Sequence, residues 1–191
     1  MTTTATGPTR HAFTVEQWHR LGEVGLFGED SRAELLDGEV VDMSPIGALH
    51  ALCVKRLIRM FSMLVGEAAI ISAQDPVVLD DRSEPQPDLA LLRPPLERYA
   101  AAHPGPEDIF LVVEVADTSL VWDRDHKAPL YGRAGVGECW VVDLSTGEVL
   151  VLGRPSPDGY LTSRRARRGE RLDVPGLPGT MVAVDDVLGP A

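Results

Sequence analysis

Cysteine is nearly absent from this chain: Cys53 and Cys139 are the only two, they stand far apart, and each sits inside an apolar pattern. That excludes a disulfide framework and a zinc knuckle, and it suits two reduced core thiols in a cytoplasmic protein. Long apolar runs are missing too, and nothing approaches the length needed to span a membrane. Residues 1–10 mix threonine, glycine and proline without an apolar stretch. They are neither a signal peptide nor an anchor, and a flexible tail is expected there.

Positive charge is also scarce. Lysine and arginine number 18 against 29 aspartate and glutamate, a net charge of -11 with a pI near 4.8. Such a chain has no general, whole-surface attraction for nucleic acid. The run Arg164, Arg165, Arg167 and Arg168 is either a local basic patch or the solvated face of an edge strand, kept charged against pairing with other chains. His11, His19, His103 and His126 show no metal-ligand spacing, and the sequence holds no repeats.

What is present is ordinary globular material: 191 residues, 44% hydrophobic and 25% charged, enough for one substantial core. Residues 11–191 are expected to form a single domain. Thr14, Glu16 and Gln17 ahead of Trp18 and Leu21 predict a capping box and a helix over about residues 14–22. Asp37 and Gly38 predict a tight turn between extended segments within residues 33–43. From Ser44 and Pro45 onward, Leu49, Leu52, Leu57, Met60, Phe61 and Leu64 recur at helical spacing. Residues 76–79 and 89–92, with Asp80 to Ser83 as the turn, predict a hairpin, and residues 109–116 a central strand. A second helix is expected at about 125–134, strands at 138–144 and 149–153, and one or two short strands near Tyr160 and Leu172.

Two acids in this pattern invite chemistry. Glu114 interrupts the most apolar segment of the chain, where an unpaired carboxylate is costly and survives by protonation, ion pairing or metal binding. Asp88 follows Pro87 at the start of a strand, and neighbouring strands can bring it close to Glu114 around one cation. Taken alone, Asp88 reads as a turn or strand-start residue, and Glu114 equally as an ion-paired structural acid.

Larger blocks frame those residues. Arg32 to Glu39, then Pro87, Asp88 and Leu89, then Val112 to Val115, then Lys127 and Tyr131, then Gly135 to Asp143, follow one another in an order that resembles the Uma2 (DUF820) branch of the PD-(D/E)XK nucleases across nearly the whole chain. The resemblance implies an α/β fold: a restriction-endonuclease-like core with a mixed central β-sheet flanked by helices. It also implies a site of Glu34, Asp88 and Glu114 around Mg2+ or Mn2+, with Lys127 as a nearby ammonium. Its implied activity is hydrolysis of DNA phosphodiesters by a homodimer.

The chain departs from the family pattern in three places. Ala116 stands where the nuclease signature has its lysine, so Lys127 takes that part. Pro129, two positions after Lys127, fits only a first helical turn. Asp117, Thr118 and Ser119 replace the usual Ser-Pro-Ser, leaving Asp117 to add charge or to cap a turn. His50 falls early in the core helix, where it could position substrate or metal or serve structure, and Trp140 reads as core or subunit interface. Two other functions stay open: a non-enzymatic interaction or regulatory protein with the nuclease fold, and a hydrolase of a small phosphodiester.

Overall fold

The structure, a computed structural model, describes residues 10–28 and 31–190. The tail expected at residues 1–10 therefore lies outside the described residues except for Arg10.

Helix α1 (Val15–Glu23) opens on the expected capping box: the Thr14 hydroxyl accepts from the Gln17 N–H, and the Gln17 side chain accepts from the Thr14 N–H. Strands β1 (Ala33–Leu36) and β2 (Glu39–Asp42) then form an antiparallel hairpin pairing Glu34 with Val41. Asp37 and Gly38 both turn in the left-handed region, with φ 50° and 80°. A Cβ on Gly38 would fall 2.7 Å from the Ala12 Cβ, so glycine is required there by both turn and close approach.

Helix α2 (Ala48–Leu64) starts later than the sequence suggests and buries only part of the expected face, Leu57 and Phe61 among it. Its buried stripe is Cys53, Val54, Leu57 and Phe61, whereas Leu49, Leu52 and Leu64 are exposed.

The main sheet has six strands in the order β3 (Ile70–Ser72), β4 (Leu89–Leu92), β5 (Ile109–Ala116), β6 (Glu138–Asp143), β7 (Glu148–Ser156) and β8 (Gly159–Arg167). Only β5 and β6 run parallel, so the sheet is mixed. The hairpin expected from residues 76–92 is different in fact. The Val77 and Leu79 N–H groups bond back to Pro85 O and Ser83 O, and β4 pairs instead with β3, a strand the sequence did not reveal.

Strand alternation divides the core into two layers. Leu89, Leu91, Leu111, Val113 and Val115 pack with α2 on one face. Ala90, Leu92, Val112 and Ala116 pack on the other, with Ala128, Leu130 and Tyr131. Those three belong to α4 (Ala128–Ala134), reached from β5 through the short α3 (Leu120–Trp122) and a π-helical turn (Asp123–Lys127). Gly132 lets α4 settle onto the β7–β8 turn, since a Cβ there would meet the Gly159 backbone at 2.5 Å. A short pair, β9 (Arg171–Asp173) and β10 (Met181–Ala183), and α5 (Val184–Leu188) complete the α2 side.

The arginine run lies on β8, an edge strand, and in the turn after it. Arg165 and Arg167 pair with Glu148 at 2.9 and 2.7 Å, and Arg168 pairs with Asp185 at 3.2 Å, which is the solvated-face arrangement. Cys53 and Cys139 are free and buried. No helix among the described residues is long and apolar enough to cross a membrane.

Candidate active site

The β4–β5 register pairs Leu89 with Val113, so one step further Asp88 stands opposite Glu114. Both then share the face covered by α4. Two carboxylates directly across an antiparallel pair repel each other, and burial sharpens that repulsion. The surroundings respond to it in detail.

Glu114 is 2% exposed. Its Oε1 accepts from the Tyr131 hydroxyl at 2.6 Å and faces the Lys127 ammonium at 2.8 Å. Its Oε2 has only the Asp88 N–H, at 3.4 Å. Burial pushes the Glu114 carboxyl up to about 8, with Lys127 opposing and Asp88, Asp123 and Glu34 reinforcing the rise. In the metal-free protein Glu114 is thus a carboxyl that readily keeps its proton near neutrality.

Asp88 is held by backbone and side chain together. Its Oδ2 accepts from the Val115 N–H at 2.8 Å and lies 2.9 Å from His50 Nε2, while Oδ1 has Gln74 Nε2 at 3.4 Å. His50 thus reaches the site from α2, leaving its Nδ1 buried without a partner.

Lys127 is 2% exposed and bridges layers: besides Glu114, its Nζ lies 3.3 Å from Glu34 Oε1 and 3.4 Å from Gln86 O. Burial alone would lower its pKa, but Glu114 and Glu34 outweigh that and hold the ammonium charged well above the ordinary lysine value. Pro129 does not misdirect it. The π turn, closed by the Ala128 N–H onto Asp123 O, places Lys127 over the sheet, and Pro129 falls in the first turn of α4. Ala116, at the position of the missing lysine, is fully buried.

Glu34, on the buried β1, sends Oε1 to Lys127 and leaves Oε2 buried with no partner. Asp123, which no sequence pattern singles out, is also buried and accepts from the Ser119 hydroxyl. Burial raises its pKa, against the Ser119 hydrogen bond and Lys127. Asp117 Oδ2 comes within 3.1 Å of where a Gly47 Cβ would lie, at the start of α2, and Trp122 adds an indole N–H without a partner. Glu34, His50, Asp88, Glu114, Asp117, Trp122, Asp123 and Lys127 line a cleft of about 590 Å³.

The four residues expected from the sequence, Glu34, Asp88, Glu114 and Lys127, are therefore gathered in one place. Among the described residues no group of three or more His, Cys, Asp or Glu side chains is drawn together at ligating geometry. The Lys127 ammonium takes the space between Glu34 and Glu114. Even so, Glu34, Asp88, Glu114 and Asp123 outnumber that single buried ammonium, and Glu34 Oε2 is orphaned. An all-oxygen donor set with excess negative charge fits a hard divalent cation such as Mg2+ or Mn2+.

Comparison with known proteins adds two findings. The sequence model of the Uma2 family, described as "Putative restriction endonuclease", matches residues 15–185. Among solved structures, a DUF820 protein from Anabaena variabilis described as "a putative nuclease" matches with a TM-score of 0.73 at 14% identity. That match covers 92% of this chain and 97% of the other, and it establishes a shared fold. No curated protein matched the chain.

Proposed function

The chain belongs to the Uma2 family, and from that footing we propose that it is a divalent-metal-dependent endonuclease hydrolysing phosphodiester bonds of DNA, acting through one domain over residues 11–191. The observation that carries this reading is the opposition of Asp88 and Glu114 across β4 and β5, beside a third buried carboxylate with an orphaned oxygen. A fold maintained for stability alone has no use for such an arrangement, because each buried acid costs free energy unless it is compensated.

Asp88, Glu114 and Glu34 would hold Mg2+ or Mn2+. Bound there, the cation supplies Lewis-acid polarisation of a phosphate oxygen and makes water more acidic. The chain's own residues do the rest. Lys127 brings a permanent positive charge to the floor of the cleft, where negative charge grows on the phosphate during displacement. Tyr131 and the Val115 N–H fix the rotamers of Glu114 and Asp88, and His50 steadies Asp88 from the opposite layer.

The test is cleavage of plasmid and oligonucleotide DNA with magnesium or manganese, by wild type and by Asp88→Asn. Metal-dependent nicking lost in the variant supports the reading. No cleavage of any phosphodiester, with manganese binding demonstrated by calorimetry, sinks it in favour of an interaction protein. A homodimer belongs to the proposal, since two chains supply more duplex-facing surface than one, and light scattering decides it.

One observation favours a second substrate. The cleft is lined by Glu34, Asp42, Asp88, Glu114, Asp117 and Asp123, and three guanidiniums of the β8 run are engaged by Glu148 and Asp185. A small phosphodiester meets less of that negative field than a long duplex does. Including a cyclic dinucleotide in the same assay separates the two.

A further inference from the structure

Arg32 stands two positions before Glu34. Its carbonyl accepts from the Met43 N–H at 2.9 Å, which carries the β1–β2 ladder one step beyond the Ala33–Asp42 pair. Strand alternation therefore turns Arg32 to the same face as Glu34. The two differ in depth: Glu34 is buried at the floor of the cleft, and Arg32 is exposed at its lining. One guanidinium nitrogen, Nη1, donates to Ser44 O at 2.7 Å across the hairpin. Among the described residues no carboxylate lies within ion-pair distance of it, in contrast to Arg133 and Arg165 elsewhere on the surface.

Electrostatics give this position its meaning. The cleft lining holds six acidic side chains and two permanent cations, Arg32 and Lys127. Lys127 is already committed to Glu114 and Glu34. An approaching phosphate is repelled by the carboxylates, and among the described residues the one lining cation with donors to spare is Arg32. Guanidinium offers five N–H donors in a planar fork that matches a phosphate edge, and the contact to Ser44 uses only part of them.

We infer that Arg32 is the phosphate anchor of the cleft, a substrate-binding residue that receives one phosphate at the mouth and directs it toward Lys127. This rests on the phosphodiesterase reading above. A single anchor, rather than a track of cations, makes the cleft a reader of one phosphate at a time. Arg32 then governs substrate affinity, while the buried carboxylates and Lys127 govern turnover.

Calorimetric titration with dithymidine monophosphate in magnesium, and with its uncharged methylphosphonate analogue, tests this. Arg32→Gln keeps a donor for Ser44 O and removes the charge. It should bind the charged dinucleotide about tenfold more weakly than wild type and no better than the neutral analogue. Arg32→Lys keeps the charge without the fork and should fall between. Arg164→Gln, on the β8 edge, should bind like wild type. Wild-type affinity in Arg32→Gln, an equal loss in Arg164→Gln, or no binding by wild type would each overturn the anchor. Cleavage assays separate it from the nuclease reading. Wild type that cleaves DNA with a KM unchanged by Arg32→Gln leaves the nuclease and removes the anchor. Wild type that cleaves nothing, yet loses dinucleotide binding on Arg32→Gln, leaves the anchor and removes the nuclease.

Discussion

Lys127 Nζ lies 2.8 Å from Glu114 Oε1, with both side chains 2% exposed, so the cation on the crossover to α4 is the counter-charge of the acid in the central strand. A buried pair broken from one side leaves the other charge uncompensated. Lys127→Ala should therefore lose about 3 kcal/mol of stability at pH 8 and less at pH 5, where Glu114 is protonated. Urea unfolding at both pH values measures it. Manganese should restore more of the melting temperature in this variant than in wild type, because a second cation occupies the same negative field, while turnover stays low. A variant as stable as wild type at pH 8 would mean that the pair carries no weight.

Tyr131 donates to the same oxygen at 2.6 Å. Tyr131→Phe deletes that donor without opening a cavity, and should cost about 1–2 kcal/mol. The loss should be greater at pH 8 than at pH 5, since the hydroxyl serves the ionised form of Glu114 best. Equal losses at both pH values would make the contact a matter of packing alone.

Parts of this arrangement were legible in the sequence because local chemistry specifies them. Thr14 and Gln17 fix a helix start, and Asp37 and Gly38 fix a turn whose strands then carry Glu34. Glu114 betrayed itself by its apolar neighbours. The remainder depends on contacts between distant segments. Asp123 sits in a polar stretch, Asp123 to Lys127, that reads as solvent-facing, yet the π turn rolls both end residues inward. Arg32 gains its significance from where the hairpin docks. Leu49 and Leu52 misled because apolar spacing marks a helical face without naming the layer it meets, and β3 is too short to announce itself.

Asp88→Asn should leave the fold intact and remove metal binding. The amide oxygen can take the place of Oδ2, accepting from the Val115 N–H and from His50, and the amide nitrogen can face a reoriented Gln74. What disappears is the negative charge a hard cation requires. The melting temperature should stay within about 4 °C of wild type, a loss of roughly 1–2 kcal/mol at most, while manganese calorimetry goes flat. Affinity equal to wild type would reduce Asp88 to a residue that starts a strand.

The pH dependence of stability isolates Glu114. Its carboxyl rises from an ordinary 4.5 to about 8 on folding without metal, chiefly by burial. Between those values the folded chain holds a proton that the unfolded chain releases, so stability falls with rising pH. The stabilisation is complete below pH 4.5, fades through about 8 and is absent above it. Asp123, also raised by burial, contributes in the same sense, and a difference between two proteins cancels it. Glu114→Gln offers a neutral side chain whose oxygen can still accept from Tyr131 and Lys127. It should match wild type near pH 5 and be the more stable protein at pH 8, because it never ionises. Manganese should raise the wild-type melting temperature more at pH 8 than at pH 5, since cation and proton compete for one carboxylate, and should do little to the variant. Thermal melts of both proteins at the two pH values, with and without manganese, give every comparison. If Glu114→Gln melts far below wild type at pH 8 without metal, and manganese still stabilises it, then Glu114 serves Lys127 as a structural partner and the cation binds elsewhere.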